Sequence, residues 1–285
     1  MSGAARIDPI FHPHLARWDL TPDGEPITTP TSRLLPVRHR GQPAMLKVAT
    51  MEEERWGAGL LAWWGGDGAV RVLAHDDDAI LMERAAGPRS LADMARRDNA
   101  GDDEATHVLC AVAARLHATD GRPPPPALTP LDRWFADLRP GAERHGDRYP
   151  ILKAASAVAR ELLAAPRDLV PLHGDLHHGN VLDAGARGWI AIDPKRLGGE
   201  RGFDYANLFR NPDLPDSTGS AATTRPGRLA HQADLVAEAA NLDRARLLRW
   251  VIALCGLSAT WCLVDGIDPA PDLAVAALAL TDLRR

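Results

Sequence analysis

The sequence predicts an α+β protein with two lobes, in which a small antiparallel sheet with one helix precedes a larger, mainly helical part. Three observations lead to this prediction. The length of 285 residues exceeds that of a usual single hydrophobic core. Residues 1–85 consist mostly of short apolar runs separated by turn residues, as in antiparallel strands. After Gly87 the sequence becomes rich in alanine and leucine at helical spacing, so we assign the second lobe to residues 86–285.

The first lobe is predicted from two hairpins and the helix between them. Residues 28–48 contain two apolar runs on either side of the turn sequence RHRGQP, which indicates a pair of strands. Thr50 can cap the helix that follows. Three glutamates stand in the first turn of this helix, where the helix dipole favours anions. Two consecutive glycines end this helix. Residues 70–74 and 79–83 form the second strand pair, with an acidic turn between them.

The second lobe is predicted to contain helices with one region of short strands among them. Apolar residues at helical spacing occur in the segments 90–97, 103–118, 131–138, 151–164, 228–241, 244–264 and 271–283. The sequences LVPLHGD and GWIAIDP are two short apolar strands joined by a polar loop. This loop lies between helices, where a scaffold can position it.

Charge and cysteine content limit the classes of partner. The net charge is -5, which suits a cationic or small-molecule partner better than a nucleic acid. The first residues lack the charged head and apolar core of a secretory signal, and the longest apolar run, 250–264, is shorter than the roughly 20 residues that span a bilayer. Cys255 and Cys262 would lie about 10 Å apart on a helix, too far for a disulfide. We therefore expect a cytoplasmic protein, a monomer or dimer, without nucleic-acid or membrane partners.

The polar stretch LHGDLHHGNVLDAGARGWIAIDP, residues 172–194, allows three interpretations. A metal hydrolase would use as ligands the side chains of His173, Asp175, His177 and His178. The two glycines among them oppose the helix that a histidine pair spaced by four residues requires. A lone H-x-D sequence is also common in ordinary surface turns. The third interpretation is a phosphoryl-transfer site, and the surrounding residues favour it.

Phosphoryl transfer needs a carboxylate to accept the hydroxyl proton and oxygen ligands for Mg²⁺. The spacing H-x-D-x-x-x-x-N supplies Asp175 as the base and Asn180 as a neutral oxygen ligand. Asp193 supplies the second ligand at the end of the next strand. The segment VLDAGARGWIAID reads as a hairpin, which would bring Asn180 and Asp193 side by side.

An upstream lysine fits a nucleotide site. Lys47 lies within the apolar strand sequence PAMLKVA, where a buried ammonium group needs an anionic partner. A phosphate and a helix glutamate would provide one. Glu53 and Glu54 both precede the apolar face of the next helix by one to two turns, and we choose Glu54 as the partner of Lys47.

The sequence resembles the aminoglycoside phosphotransferases, which are small-molecule kinases related in fold to protein kinases. The resemblance lies in the order of four features: the lysine strand, the glutamate helix, the loop H-G-D-L-H-H-G-N and the segment I-D-P. The strings LLAWWGGDGAVRVLAHDDDAILMERA and GERGFDYANLF are similar to the streptomycin 6-kinase and hydroxyurea kinase branch. The resemblance covers about residues 46–264. It implies a bilobal protein-kinase-like fold that binds ATP and Mg²⁺ and phosphorylates an aminoglycoside, with the 6-hydroxyl of streptomycin as the first choice and resistance as the outcome. The alternatives are a kinase of hydroxyurea or another small hydroxylated compound and, more remotely, a nucleotide-binding pseudokinase.

The resemblance also implies roles for individual residues. Lys47 contacts the nucleotide phosphates and Glu54 pairs with it. Asp175 is the base, while the metal ligands are Asn180 and Asp193. The connector between the lobes lies near residues 82–87, and it contributes three adenine-pocket groups, namely the side chain of Met82, the carbonyl of Glu83 and the amide of Ala85.

Further residues are assigned supporting roles. His173 is a structural member of the catalytic loop, with the following two histidines as loop residues. Asp204 braces that loop, while Arg201 is more simply a surface residue. A cationic acceptor needs carboxylates in the helical lobe. The candidates are Asp132, Asp137, Glu238, Asp265 and Asp268, with Trp134 and Trp261 as possible walls.

Two departures from the kinase pattern qualify the resemblance. No G-x-G-x-x-G sequence precedes Lys47, so Thr31 and Ser32 would have to cover the phosphates. The metal-binding aspartate is followed by Pro194 and Lys195 in place of Phe-Gly. The activation-loop switch of protein kinases is therefore not expected.

Overall fold

The computed structural model describes residues 7–51, 57–119, 121–123, 125–212 and 222–284. In these ranges an antiparallel sheet lobe is followed by a mainly helical lobe, which confirms the predicted fold class. The last strand of the sheet lobe ends at Glu83 and the next helix begins at Leu91. The division between residues 85 and 86 stays a prediction.

The described part of the first lobe contains one sheet, two α-helices and a short 3-10 helix. Its strands are β1 Leu20–Pro22, β2 Ile27–Thr28, β3 Ser32–His39, β4 Gln42–Ala49, β5 Val72–His75 and β6 Ala79–Glu83. Its helices are α1 His12–Arg17 and α2 Gly57–Trp64. The strand order is β1-β3-β4-β6-β5, and β2 pairs with β3. Both predicted strand pairs are therefore present, and β1 and β2 extend the sheet beyond them.

The β3–β4 hairpin is fixed by its two-residue loop. Arg40 and Gly41 have φ angles of 51° and 78°, which suit the left-handed turns that match the twist of paired strands. The strands therefore pair from His39 opposite Gln42. Alternate side chains of the hairpin, including Leu35 and Leu46, are buried in the small core of this lobe.

The second lobe contains helices and two small groups of strands. The helices are α3 Leu91–Arg97, α4 Asn99–His117, α5 Leu131–Trp134, α6 Leu138–His145, α7 Pro150–Ala164, α8 Gly202–Ala206, α9 Arg228–Ala239, α10 Arg244–Val264 and α11 Ala270–Leu283. The strands are β7 Thr129–Pro130, β8 Leu169–Leu172, β9 Val181–Asp183, β10 Trp189–Ala191 and β11 Leu197–Glu200. They form a β9–β10 hairpin and a sheet in the order β7-β11-β8.

Helix α10 is the central helix of this lobe. It packs against α7, α8, α9 and α11, and its residues from Leu247 to Thr260 are almost all buried. Among the described residues, α10 alone is long and apolar enough to cross a membrane, but 72% of its most apolar window is buried inside the protein. The burial agrees with the prediction of a core helix.

The predicted helix at residues 131–138 is wrong in extent. The chain forms the short helix α5, turns, and then forms α6, which the sequence analysis did not predict. Pro140 and Gly141 resemble helix breakers, but Pro140 lies in the first turn of α6, where proline is tolerated. A Cβ at Gly141 would lie 2.2 Å from Thr260 Cγ2, so glycine permits the close packing of α6 on α10.

Two backbone hydrogen bonds join the lobes beside the connector. The amide of Val70 donates to the carbonyl of Ala191 at 2.9 Å, and the amide of Ala191 donates to Gly68 at 2.8 Å. The segment just before β5 is therefore attached to β10. This attachment fixes where the sheet lobe meets the loop that follows β8.

Candidate active site

One buried carboxylate, that of Asp204, holds the loop after β8 in place. Asp204, in α8, accepts hydrogen bonds from the amides of His173 at 2.9 Å and Gly174 at 2.7 Å. The His117 Nε2 atom lies 2.8 Å from the same carboxylate. Burial alone would raise the pKa of Asp204, but the hydrogen bond and charge of His117 and the loop contacts hold this pKa below its ordinary value. Asp204 therefore braces the loop, as the resemblance implied.

His173 has a structural position. Its ring is fully buried, with Nε2 donating to the carbonyl of Ile192 at 2.7 Å and Nδ1 accepting from the amide of Asp175 at 3.2 Å. Burial lowers the pKa of His173, against the opposing charges of Asp204 and Asp175. The neutral ring fits these contacts, because Nδ1 must keep its lone pair to accept the Asp175 amide.

The carboxylate of Asp175 is oriented by two amide side chains. Its Oδ2 accepts from Asn180 Nδ2 at 3.3 Å, and its Oδ1 accepts from Asn207 Nδ2 at 3.1 Å. His177 Nε2 lies 3.8 Å from Oδ1. The side chain remains 34% exposed, so its oxygens can still reach a bound hydroxyl.

Asn180 and Asp193 lie at the two ends of the β9–β10 hairpin. The carbonyl of Asn180 accepts from the amide of Ile192 at 2.9 Å, which places Asp193 one residue from this contact. Since Asn180 Nδ2 donates to Asp175, its amide oxygen is the atom left for a cation. One carboxylate and one amide oxygen form the kind of donor set that Mg²⁺ prefers.

Lys47 crosses from the sheet lobe to this group. Its Nζ lies 2.8 Å from Asp193 Oδ1, and its side chain is only 8% exposed. Lys47 and Asp193 line one pocket in the cleft, together with Met82. Two residues that the sequence analysis assigned to the nucleotide, Lys47 and Met82, therefore share a pocket with Asp193, which it assigned to the metal ion.

The connector is attached to the β9–β10 hairpin by side-chain and backbone hydrogen bonds. The Glu83 carboxylate accepts from the amide of Arg71 at 2.7 Å and from the guanidinium of Arg187. The carbonyl of Asp183 accepts from Gly87 N at 2.8 Å. A hydrogen bond from Arg89 lowers the pKa of Asp183 to about 2. Ala85 is half-buried against the main core, so its side chain faces the protein.

Among the residues predicted to lie beside the phosphates, Ser32 differs from expectation. Glu54 lies outside the described residues. Ser32 begins β3 with only 1% of its surface exposed, so its hydroxyl cannot cover a phosphate as predicted. The carbonyl of Thr31 accepts from the amide of Thr50 at 2.9 Å, and Thr31 itself is half-buried. Ser32 pairs with Ala49 where the inner strands β3 and β4 meet.

The acceptor candidates have separate environments. Asp137 accepts from Trp261 Nε1 at 3.1 Å, and Trp134 contacts Trp261 edge to face with centroids 5.3 Å apart. Asp268 accepts from the amide at the start of α11. All five candidates are exposed to solvent, namely Asp132, Asp137, Glu238, Asp265 and Asp268. Arg201 contacts Asp168 and backbone carbonyls, as expected for a structural surface residue.

The geometry gives little support to a metal-hydrolase site in the loop. Across the described ranges, three side chains of metal-ligand type come within 4.8 Å of one another only at His14, Asp76 and Asp78, in the sheet lobe. His173 uses both of its ring nitrogens in contacts with the backbone.

Asn207 was missed by the sequence analysis. It lies three residues after Asp204, on the same face of a helical segment, and the prediction for Asp204 could have been extended to it. Arg210 and Asp272 lie behind it and carry no local signal, because they are 62 residues apart.

The two lobes, the lysine in the cleft and the carboxylates opposite it define a phosphotransferase of protein-kinase-like fold. A family model described as aminoglycoside/hydroxyurea antibiotic resistance kinase matches residues 17–266. The chain belongs to this family, which confirms the resemblance inferred from the motifs.

Individual relatives agree with this assignment. The chain is 51% identical to a streptomycin 3''-kinase of Klebsiella pneumoniae over 93% of this chain and 98% of the relative. It is 38% identical to a streptomycin 6-kinase of Streptomyces griseus over 93% and 86% of the two chains. Its fold is similar to that of a thermostable mutant of an aminoglycoside phosphotransferase crystallised with ADP and hygromycin B. The two structures have a TM-score of 0.61 and 14% sequence identity over 95% of each chain.

Proposed function

We propose that the protein transfers the γ-phosphoryl group of ATP to a hydroxyl group of streptomycin, and so inactivates this antibiotic in the cytoplasm. The observation that carries the proposal is the contact of Lys47 with Asp193 across the cleft, beside Asp175 and Asn180. The 51% identity to a streptomycin kinase supports the acceptor. Family membership supports the reaction class.

In this proposal each residue acts on one group of the substrates. Asp175 accepts the proton of the attacking hydroxyl as its oxygen forms a bond to the γ-phosphorus, and ADP leaves with the electrons of the broken bond. Lys47 holds the phosphates by charge. Asn180 and Asp193 would hold Mg²⁺, which neutralises charge on the β- and γ-phosphates when it is bound.

The adenine site is part of the same proposal. Met82 lines the apolar part of the pocket. The carbonyl of Glu83 and the amide of Ala85 would bind the edge of the base. Glu54 would pair with Lys47.

The position of the accepted hydroxyl has two candidates. The sequence analysis predicted the 6-hydroxyl of streptomycin, and the relative at 38% identity is a 6-kinase. The relative at 51% identity, a 3''-kinase, favours the 3''-hydroxyl. We propose the 3''-hydroxyl first, because the greater similarity covers almost the whole of that relative.

The experiment is an ADP-release assay with ATP, Mg²⁺ and separate acceptors. We expect release with streptomycin, and little with hydroxyurea or with a kanamycin-type sugar. A ³¹P–¹H correlation spectrum of the product then identifies the phosphorylated position. Turnover of hydroxyurea in preference to streptomycin would show that hydroxyurea is the acceptor and streptomycin is not. Absence of ADP release with every acceptor would favour a nucleotide-binding pseudokinase.

A further inference from the structure

A chain of buried polar side chains leads from Asp175 to the two C-terminal helices. Asn207 donates through Nδ2 to Asp175 Oδ1 at 3.1 Å and accepts through Oδ1 from Arg210 at 3.3 Å. Arg210 Nε donates to Asp272 Oδ1 at 2.5 Å, and its second amino group donates to Ser258 Oγ at 2.6 Å. Ser258 also donates to Asp272 Oδ2 at 2.9 Å.

The side chains of this group are largely removed from solvent. Asn207 is 3% exposed, Asp272 is 2% exposed and Ser258 is 8% exposed, while the Arg210 side chain is 18% exposed. A guanidinium removed from water is costly unless a carboxylate pairs with it and its donors are used. Asp272 from α11 and Ser258 from α10 meet this requirement. Arg210 is therefore fixed in one position beside Asn207.

A fixed Arg210 also fixes the amide of Asn207. A guanidinium only donates hydrogen bonds, so the amide oxygen must face Arg210 and the amide nitrogen must face Asp175. Without Arg210, the amide could rotate by half a turn and direct its oxygen at the Asp175 carboxylate. That arrangement is repulsive, and it would turn the carboxylate away from its present direction.

We propose that Arg210, anchored by Asp272 and Ser258, is a positioning residue that acts through Asn207 to orient Asp175 for proton acceptance. The proposal rests on the proposed function, since it requires Asp175 to be the base. It links the orientation of the base to α10 and α11. Small errors in such an orientation lower the rate of a positioned reaction steeply.

The test is a double-variant cycle on streptomycin phosphorylation. Asn207→Ala and Arg210→Lys should each lower kcat by about tenfold to a hundredfold, with KM for ATP within about twofold of wild type. Because Arg210 acts through Asn207, the double variant should have a kcat within about threefold of Asn207→Ala alone. A purely structural effect of Arg210 would instead multiply with that of Asn207.

Two further variants keep the test decisive if Arg210→Lys does not fold. Ser258→Ala removes one anchor and should lower kcat several-fold in wild type but not in the Asn207→Ala background. Asn207→Asp keeps the contact with Arg210 but replaces the donor to Asp175 with a like charge, so it should lose at least as much kcat as Asn207→Ala. Arg246→Lys, in a buried ion pair with Glu200, is the matched control and should leave kcat unchanged within about twofold.

The outcomes separate this proposal from the function on which it rests. If Asp175→Ala keeps full turnover, the assignment of the base fails. If Asp175→Ala is inactive but the effects of Asn207 and Arg210 multiply, or appear in KM for ATP, the positioning role is overturned.

Discussion

Substitution of Asp204, the residue of α8 that holds the loop after β8, should lower the free energy of unfolding by several kcal/mol. Its carboxylate is 1% exposed and accepts from the amides of His173 and Gly174 and from the ring of His117. Asp204→Ala would leave these donors without an acceptor inside the protein. A buried donor without a partner costs about 1–3 kcal/mol.

The three lost contacts set the size of the expected effect. Added together they would give about 3–9 kcal/mol, and partial entry of water into the space of the carboxylate reduces this to about 3–5 kcal/mol. Domains are stable by only about 5–15 kcal/mol, so the change removes a large part of the free energy of unfolding. Activity should fall further than stability, because Asp204 holds the backbone that carries Asp175.

Urea unfolding, followed by far-UV circular dichroism, measures the free energy for wild type and Asp204→Ala. The matched control is Asp103→Ala, which removes an exposed pair with His231 and should cost less than about 1 kcal/mol. A loss below about 1 kcal/mol for Asp204→Ala, equal to that of the control, would refute the role of Asp204 as the brace of the loop.

Three other changes have defined outcomes. Burial lowers the pKa of His173, so below pH 6.5 the unfolded chain binds a proton that the folded chain does not. The free energy of unfolding should therefore fall by up to about 1.4 kcal/mol per pH unit as the pH drops from 6.5. In urea titrations at pH 7 and pH 5.5, His173→Gln should show a smaller loss, and equal losses would contradict this source. Glu200→Ala removes the partner of the buried Arg246 and should lower the free energy of unfolding by about 3–5 kcal/mol in the same assay, whereas a loss below about 1 kcal/mol would show that the pair contributes little. Lys47→Met should lower kcat/KM for ATP by roughly 10²–10³, measured by ADP release. An unchanged kcat/KM would show that Lys47 does not bind the phosphates.

Local patterns were enough to predict much of the sheet lobe and the catalytic loop. The turn at Gly41 and the apolar runs on either side of it specify the β3–β4 hairpin without help from distant residues. The spacing of Asp175 and Asn180 places both in one loop, so their contact also depends mainly on local geometry. The order of the motifs placed Lys47 and Asp193 in one nucleotide site, but their direct contact, across 146 positions, was not predicted.

Other features depend on contacts that no local pattern records. Helix α6 was missed because Gly141 is explained only by its closeness to Thr260 on another helix. The β7-β11-β8 sheet consists of strands of two to four residues whose neighbours are far apart in sequence. The buried pair of Arg228 with Asp102 joins α9 to α4 across 126 residues. Sequence spacing cannot predict such pairings.

The most direct test of the central claim compares wild type with Asp175→Ala for phosphorylation of streptomycin at saturating ATP and Mg²⁺, with ATP affinity measured by calorimetry. We expect wild type to form phosphostreptomycin, and the variant to be slower by roughly 10³ or more with a Kd for ATP within about threefold of wild type. Equal turnover by the two proteins would contradict the assignment of Asp175 as the group that accepts the proton.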